Sequence, residues 1–208
     1  RFCIFTLRIS LEQSCDLAVF VYVDTLCRGN LGKSRHSHYI SCKNNYKACT
    51  CRNLNVTNSH FRGNSGNGTG AIVGKGSGTF QNIFVQAEVY DSNKKGNLGG
   101  ILGVASGTVT VENCWSDCEI ESNYVNLGGI VGNGSAKDVT IKHCVSTSNI
   151  TISSTCEASN AHAGGIIGKP GGGSGTADKP YIGNILVEDC LAGGIVTTES
   201  TNRTKALG

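Results

Sequence analysis

Gly99-Gly100-Ile101-Leu102-Gly103 is written several times along this chain with little change. Gly128-Gly129-Ile130-Val131-Gly132 and Gly164-Gly165-Ile166-Ile167-Gly168 are close copies, and Gly70-Ala71-Ile72-Val73-Gly74 is a worn one. The copies at 70, 99 and 128 start 29 residues apart, and the last follows after 36. Self-similarity at a fixed period of this length marks a repeat architecture, in which each unit buries its apolar face only against its neighbours.

The unit from 99 to 127 breaks into three parts. Its glycine-bracketed aliphatic stretch reads as a short strand, with glycines that permit sharp corners and positive φ. After a turn at Ala105-Ser106-Gly107, Thr108-Val109-Thr110-Val111-Glu112 alternates polar and apolar, as a strand with one buried face does. Cys118-Glu119-Ile120-Glu121 alternates again, and Ser122-Asn123 turns into the next unit. The following copies keep these parts in Asp138–Lys142 and Ser148–Thr151, then in Asn184–Glu188. The residue before the cysteine is Asn113, His143 and Asp189 in turn. These are the non-glycine types most enriched in the left-handed region, so the position reads as a backbone corner.

Three short strands and three turns per 29–30 residues describe one coil of an all-β parallel solenoid. No 3.6-residue apolar stripe persists, and glycine interrupts each helix candidate. Stacking at about 4.8 Å per coil sets Ile101 over Ile130, Val109 and Val111 over Val139 and Ile141, and Ile120 over Ile150. Thr155 to Ala161 and Gly171 to Gly175 lengthen turns without interrupting a strand. In the first half, Leu54 to Ser59 resembles the second strand and its corner, with Ser59 in the cysteine position. Residues 1–51 read as degenerate coils or a cap, with a separate cysteine-stapled domain as the alternative. Residues 52–208 form the solenoid.

Composition narrows the class. The 29 glycines have no three-residue period and there are only 2 prolines, which sets collagen aside. The net charge is +3, and the best basic cluster (Arg28, Lys33, Arg35) is too small for a nucleic-acid face. The longest apolar run, Leu17 to Val23, is strand-sized, so no membrane span is expected. The chain has no methionine, and Arg1–Arg8 lacks a signal-peptide layout. A processed product or a piece of a longer chain is therefore expected.

Eleven cysteines are many for a cytosolic protein. With the Asn-x-Ser/Thr sites at Asn55, Asn67, Asn133, Asn149 and Asn202, they point to a secreted, glycosylated product. Disulfide candidates are Cys3, Cys15, Cys27, Cys42, Cys49 and Cys51 near the start, with Cys114–Cys144 and Cys118–Cys156 in the repeats. A buried column of free thiols that includes Cys190 is the alternative for Cys114 and Cys144. Cys49-Thr50-Cys51 with His36 and His38 lacks the Cys-x2-Cys spacing of common zinc sites, so no metal or cofactor is expected.

Catalysis on a β-helix needs converging carboxylates, or Asp-bound calcium and a base. Glu112 and Glu188 match across coils, but Lys142 stands between them, and Asp117 and Asp138 have no evident partner. An ice-binding face needs Thr columns, and Thr108 and Thr110 are followed only by Thr140. Gly171 to Gly175 lacks the Gly-Lys-Ser/Thr ending of a phosphate loop.

Gly-Gly-Ile-Leu-Gly, a Ser-Gly turn, and Val109-Thr110-Val111-Glu112-Asn113-Cys114-Trp115 together resemble the GLUG-type repeat, from residue 66 to about 196. Ala71, Phe84 or Val85 in place of Cys, and a long fourth coil depart from that pattern. The resemblance implies a right-handed β-helix and a secreted or surface-anchored, adhesin-like protein. The expected role is a non-catalytic structural or adhesive glycoprotein, as a filament subunit or a module of a surface protein. Its expected partners are further copies end to end, or a host or cell-surface glycan or protein. The alternative is a β-helix polysaccharide lyase or glycoside hydrolase.

Overall fold

The computed structural model describes residues 49–63, 68–91, 96–123, 126–134, 138–156, 161–171, 183–199 and 206–207. The first coil is β1 (Cys49–Gly63), and the second is β2 (Thr69–Gly70) with the long β3 (Val73–Asp91). The third holds β4 (Leu98–Gly99), β5 (Leu102–Glu112) and β6 (Trp115–Ser122). The fourth holds β7 (Asn126–Gly128), β8 (Val131–Asn133), β9 (Asp138–Lys142), β10 (Val145–Ser146) and β11 (Asn149–Ile152). The fifth holds β12 (His162–Gly164), β13 (Ile167–Lys169), β14 (Asn184–Glu188), β15 (Leu191–Ala192) and β16 (Val196–Thr198), and β17 (Ala206–Leu207) follows.

Each strand pairs in parallel with its equivalent in the next coil. β1 lies on β3, β3 on β5 and β6, these on β8 to β11, and those on β13 to β16. β2, β4, β7, β12 and β17 close the remaining side. The protein is a parallel β-solenoid. Among the described residues every regular element is a strand, and no helix is long and apolar enough to cross a membrane.

The expected columns are present. Ile101 N donates to Ile130 O at 3.0 Å, Val109 and Val111 register with Val139 and Ile141, and Ile120 registers with Ile150. Inward residues of the middle coils, such as Phe80, Val111 and Ile141, are fully buried, and each such side chain contributes about 1.5–3 kcal/mol. Of the two lengthened turns, Thr155, Cys156, Ala161 and Gly171 lie among the described residues, and the strands beside them, β11, β12 and β13, are uninterrupted.

The glycine-bracketed motif is a corner and not the strand that the sequence suggests. Gly100 and Ile101 form a bend between β4 and β5, as Gly129 and Ile130 do between β7 and β8. Nor does positive φ explain these glycines: among the described residues it occurs at Gly68, Gly78, Gly107 and Gly171. Close approach explains them. A Cβ on Gly99 would overlap the Leu102 carbonyl and lie 2.7 Å from Gly132 N. The aliphatic residue between them has a backbone task too, since each Ile carbonyl accepts two N–H groups from the coil before it. Ile101 O accepts from Ile72 N at 3.2 Å and Val73 N at 3.1 Å, and Ile130 and Ile166 repeat the arrangement.

The second corner is as expected. Asn113, His143 and Asp189 have φ of 52°, 51° and 50°, and the column extends back through Asn82 and Asn53, both at 55°. This relocates the cysteine position in the early coils. Ile83 occupies it in the second coil, not Phe84 or Val85, and Leu54 in the first, not Ser59. Asn58, at φ 51°, instead lies in a bulge between Val56 and Ser59. Asn113→Val should lower stability by about 1–2 kcal/mol, because a β-branched side chain clashes in this conformation, whereas Asn113→Gly should be nearly neutral. Urea unfolding midpoints of the two variants measure the difference.

Candidate interaction surface

Alternation within each strand sends every second side chain outward, and parallel stacking gathers those side chains into ladders. One ladder runs Arg52, Gln81, Glu112, Lys142, Glu188. Gln81 Nε2 donates to Glu112 Oε2 at 2.9 Å, and Lys142 Nζ lies 2.6 Å from Glu188 Oε2. That pair lowers the Glu188 pKa and raises that of Lys142, mainly through the hydrogen bond between them. Its support is present above the ordinary Glu range and is lost as pH falls through the lowered Glu188 value.

Beside it, the corner residues form a ladder of their own. Asn82 Nδ2 donates to Asn53 Oδ1 at 2.9 Å, and His143 Nε2 lies 3.4 Å from Asp189 Oδ2. On the next face His60 Nδ1 and Glu88 Oε2 are 2.7 Å apart, and Asn149 Nδ2 donates to Glu119 Oε1 at 2.8 Å. Asp117 and Asp138, unpartnered in the sequence, are ladder acceptors too. Gln86 Nε2 and Thr147 Oγ1 donate to Asp117 at 3.1 and 2.9 Å, and Asn184 Nδ2 to Asp138 at 3.1 Å.

An outward apolar strip crosses this face. Phe84 and Trp115 meet edge to face at 5.1 Å, and the strip continues through Val145 to Leu191. Trp115 is 47% exposed while its Nε1 donates to Thr147 Oγ1 at 3.0 Å. Periodicity alone does not reveal the strip, because the aromatics belong to different coils. The Thr column is also longer than the sequence suggests, running through Thr50, Thr79, Thr110 and Thr140. The charged Arg52–Glu188 ladder flanks it, which is unlike the apolar, hydroxyl-only surface an ice lattice requires.

The cysteines of the repeats line the interior. Cys114, Cys118, Cys144 and Cys156 are buried, and the structure places no Cys114–Cys144 or Cys118–Cys156 bridge among the described residues. Cys114, Cys144 and Cys190 stack as one column, and each thiol is engaged locally. Each Sγ turns back to the carbonyl two residues earlier, at 3.2, 3.1 and 3.2 Å, and toward one in the coil before it at 3.6 Å. Burial pushes Cys118 up to about 11, and contact with Cys114 followed by burial pushes Cys144 well above the ordinary thiol range. Because all four side chains are buried, iodoacetamide labelling of the native protein, followed by peptide mass mapping, should leave Cys114, Cys118, Cys144 and Cys156 unmodified until denaturant is added. Cys190, half-buried in the last coil, should react first of the repeat cysteines.

Cys49 and Cys51 lie within β1, while Cys3, Cys15, Cys27, Cys42, His36 and His38 lie outside the described residues. Among the described residues no three His, Cys, Asp or Glu side chains are placed to hold a metal ion. Of the sequons, Asn55 is exposed on β1. Asn149 is half-buried, and its Oδ1 accepts from Ile195 N at 3.2 Å. Asn133 is half-buried, with Nδ2 3.4 Å from Asn97 Oδ1, and Asn67 and Asn202 lie outside the described residues.

No family model and no curated protein matches this chain. The class defined by its own geometry is a parallel β-solenoid with a ladder-lined exterior.

Proposed function

We propose that this chain is an extracellular structural or adhesive solenoid of the GLUG-repeat kind, a rigid rod that presents its faces to other molecules. One observation carries the reading. Outward ionisable side chains engage polar partners from coil to coil, as in Lys142–Glu188, His60–Glu88, His143–Asp189 and Asp117 with its donors Gln86 and Thr147. A carboxylate used as general acid or nucleophile needs a substrate-facing position and a tuned environment. Here the same groups fasten neighbouring coils. The exposed Trp115 and Leu191 support the adhesive part, since an aromatic ring flanked by polar groups suits contact with a glycan or protein surface.

The test pairs an activity screen with a binding screen. Purified protein incubated with pectins and glycosaminoglycans should release neither unsaturated uronides nor new reducing ends. Arrayed cell-surface glycans and intact cells should retain it, and Trp115→Ala should weaken that retention. Sustained turnover of any polysaccharide would replace this reading with a β-helix lyase or hydrolase.

A further inference from the structure

The last coil of the described solenoid is its least covered apolar surface, while the first keeps Cys51, Leu54 and Val56 half-buried and Phe61 buried. The column Cys51, Phe80, Val111, Ile141, Val187 is fully buried at its three inner members, half-buried at Cys51 and 42% exposed at Val187. The next column behaves alike. Ile83, Cys114 and Cys144 are buried, while Leu54 and Cys190 at its ends are half-buried. Core positions lose cover only where stacking stops.

The backbone edges match that picture. Among the described residues β14, β15 and β16 pair only with the preceding coil, and β1 pairs only with β3. Proteins usually blunt such edges with proline, inward charge or a covering segment. Asn184–Thr198 contains no proline, and its inward positions, Ile185, Val187, Cys190, Ala192, Val196 and Thr198, include no charged residue.

The ends also differ in charge. The first coil exposes Arg52, His60 and Arg62, and the last exposes Glu188, Asp189 and Glu199. Arg52 and Glu188 terminate the same ladder, and Asn53 and Asp189 terminate the neighbouring one.

We propose that a second copy of this chain seats its Cys49–Gly63 coil on the Asn184–Thr198 coil, in register, so that the solenoid continues from one molecule into the next. The next copy's Arg52 then follows Glu188, which already has Lys142 on its other side, and the next copy's Asn53 donates to Asp189. Val187 is covered by Cys51, Cys190 by Leu54, Ala192 by Val56 and Val196 by Phe61. The bulge between Val56 and Ser59 falls opposite the Gly193-Gly194-Ile195 turn, where it displaces no strand. Repeated from copy to copy, such a head-to-tail contact generates open filaments. The inference rests on the structural reading above and names its partner.

The 208-residue chain in reducing buffer, which removes disulfide cross-links as a cause, is examined by sedimentation velocity from micromolar to millimolar concentration. The wild type should form a series of end-to-end species that lengthens with concentration and shortens with added salt. Arg52→Glu and Glu188→Arg should each weaken association about tenfold or more. An equimolar mixture of the two variants should assemble again, because each then offers the other two complementary ends. Val187→Lys, placed in the uncovered core column, should block assembly while circular dichroism stays that of the wild type. A wild type that remains monomeric throughout overturns the proposal, as does failure of the mixture to assemble when both variants are folded. Neither result bears on polysaccharide turnover, so failure here is distinguishable from failure of the functional reading.

Discussion

Gly129→Ala is expected to prevent native folding, although it adds a single methyl group. The new Cβ would overlap the Gly165 carbonyl oxygen and Ser146 Oγ, and would lie 2.9 Å from Ser146 Cβ. Ser146 is buried and Gly129 N donates to Gly164 O at 3.1 Å, so the methyl pushes against a backbone already bonded to its own. Relief requires two coils to separate, breaking the stacking that holds both. A loss above about 4 kcal/mol is the expected scale for a clash that neighbours cannot absorb. Gly193→Ala is the control, since nothing lies within 4 Å of the position its Cβ would take. That variant should fold with a stability within about 0.5 kcal/mol of the wild type, as surface substitutions usually do. Soluble yield, circular dichroism and urea midpoints compare the two, and equal behaviour would refute the close-approach account of the motif.

Phe80→Ala should cost about 3–5 kcal/mol, the range for truncating a buried aromatic and leaving its cavity. Phe80 is wholly buried and stacks between Cys51 and Val111, and Cys114 Sγ lies 3.6 Å from its carbonyl oxygen. Because a solenoid's stability is a sum over neighbouring coils, the damage should begin locally. Hydrogen exchange should accelerate first in β1 and the adjoining half of β3, ahead of β9 to β11. Uniform acceleration in all strands would mean that the coils unfold as one unit and not as a linear array.

The fold was legible because its determinants are local and repeated. Alternation in Thr108–Glu112 and Asp138–Lys142 assigns inward and outward faces, and the 29-residue spacing assigns which coil lies on which. Asn113, His143 and Asp189 announced their corner through side-chain chemistry alone. The misplacements came from following the cysteine letter and not the corner residue. Ile83 and Leu54 fill the thiol position with plain aliphatics, so the column could be traced only from the positive-φ residue before each.

The surface was less legible. Glu112 and Glu188 were expected on either side of Lys142, and they are. The partners of Asp117 and Asp138 were not foreseeable, since Gln86, Thr147 and Asn184 come from other coils at unequal sequence separations. The glycine motif was read as strand because its letters suit a strand; the crowding that makes it a corner involves atoms about one coil away.

By itself the sequence determined that this is a stack of parallel coils, since a period, an alternation and a left-handed corner are all properties of short stretches. Tertiary structure decided which side chains meet, that the thiols of Cys114, Cys144 and Cys190 turn to backbone carbonyls, and that the last coil leaves Val187 of the core column exposed. Those outcomes depend on what lies above and below each residue, and stacking across gaps of 28 to 49 residues is information that no single coil contains.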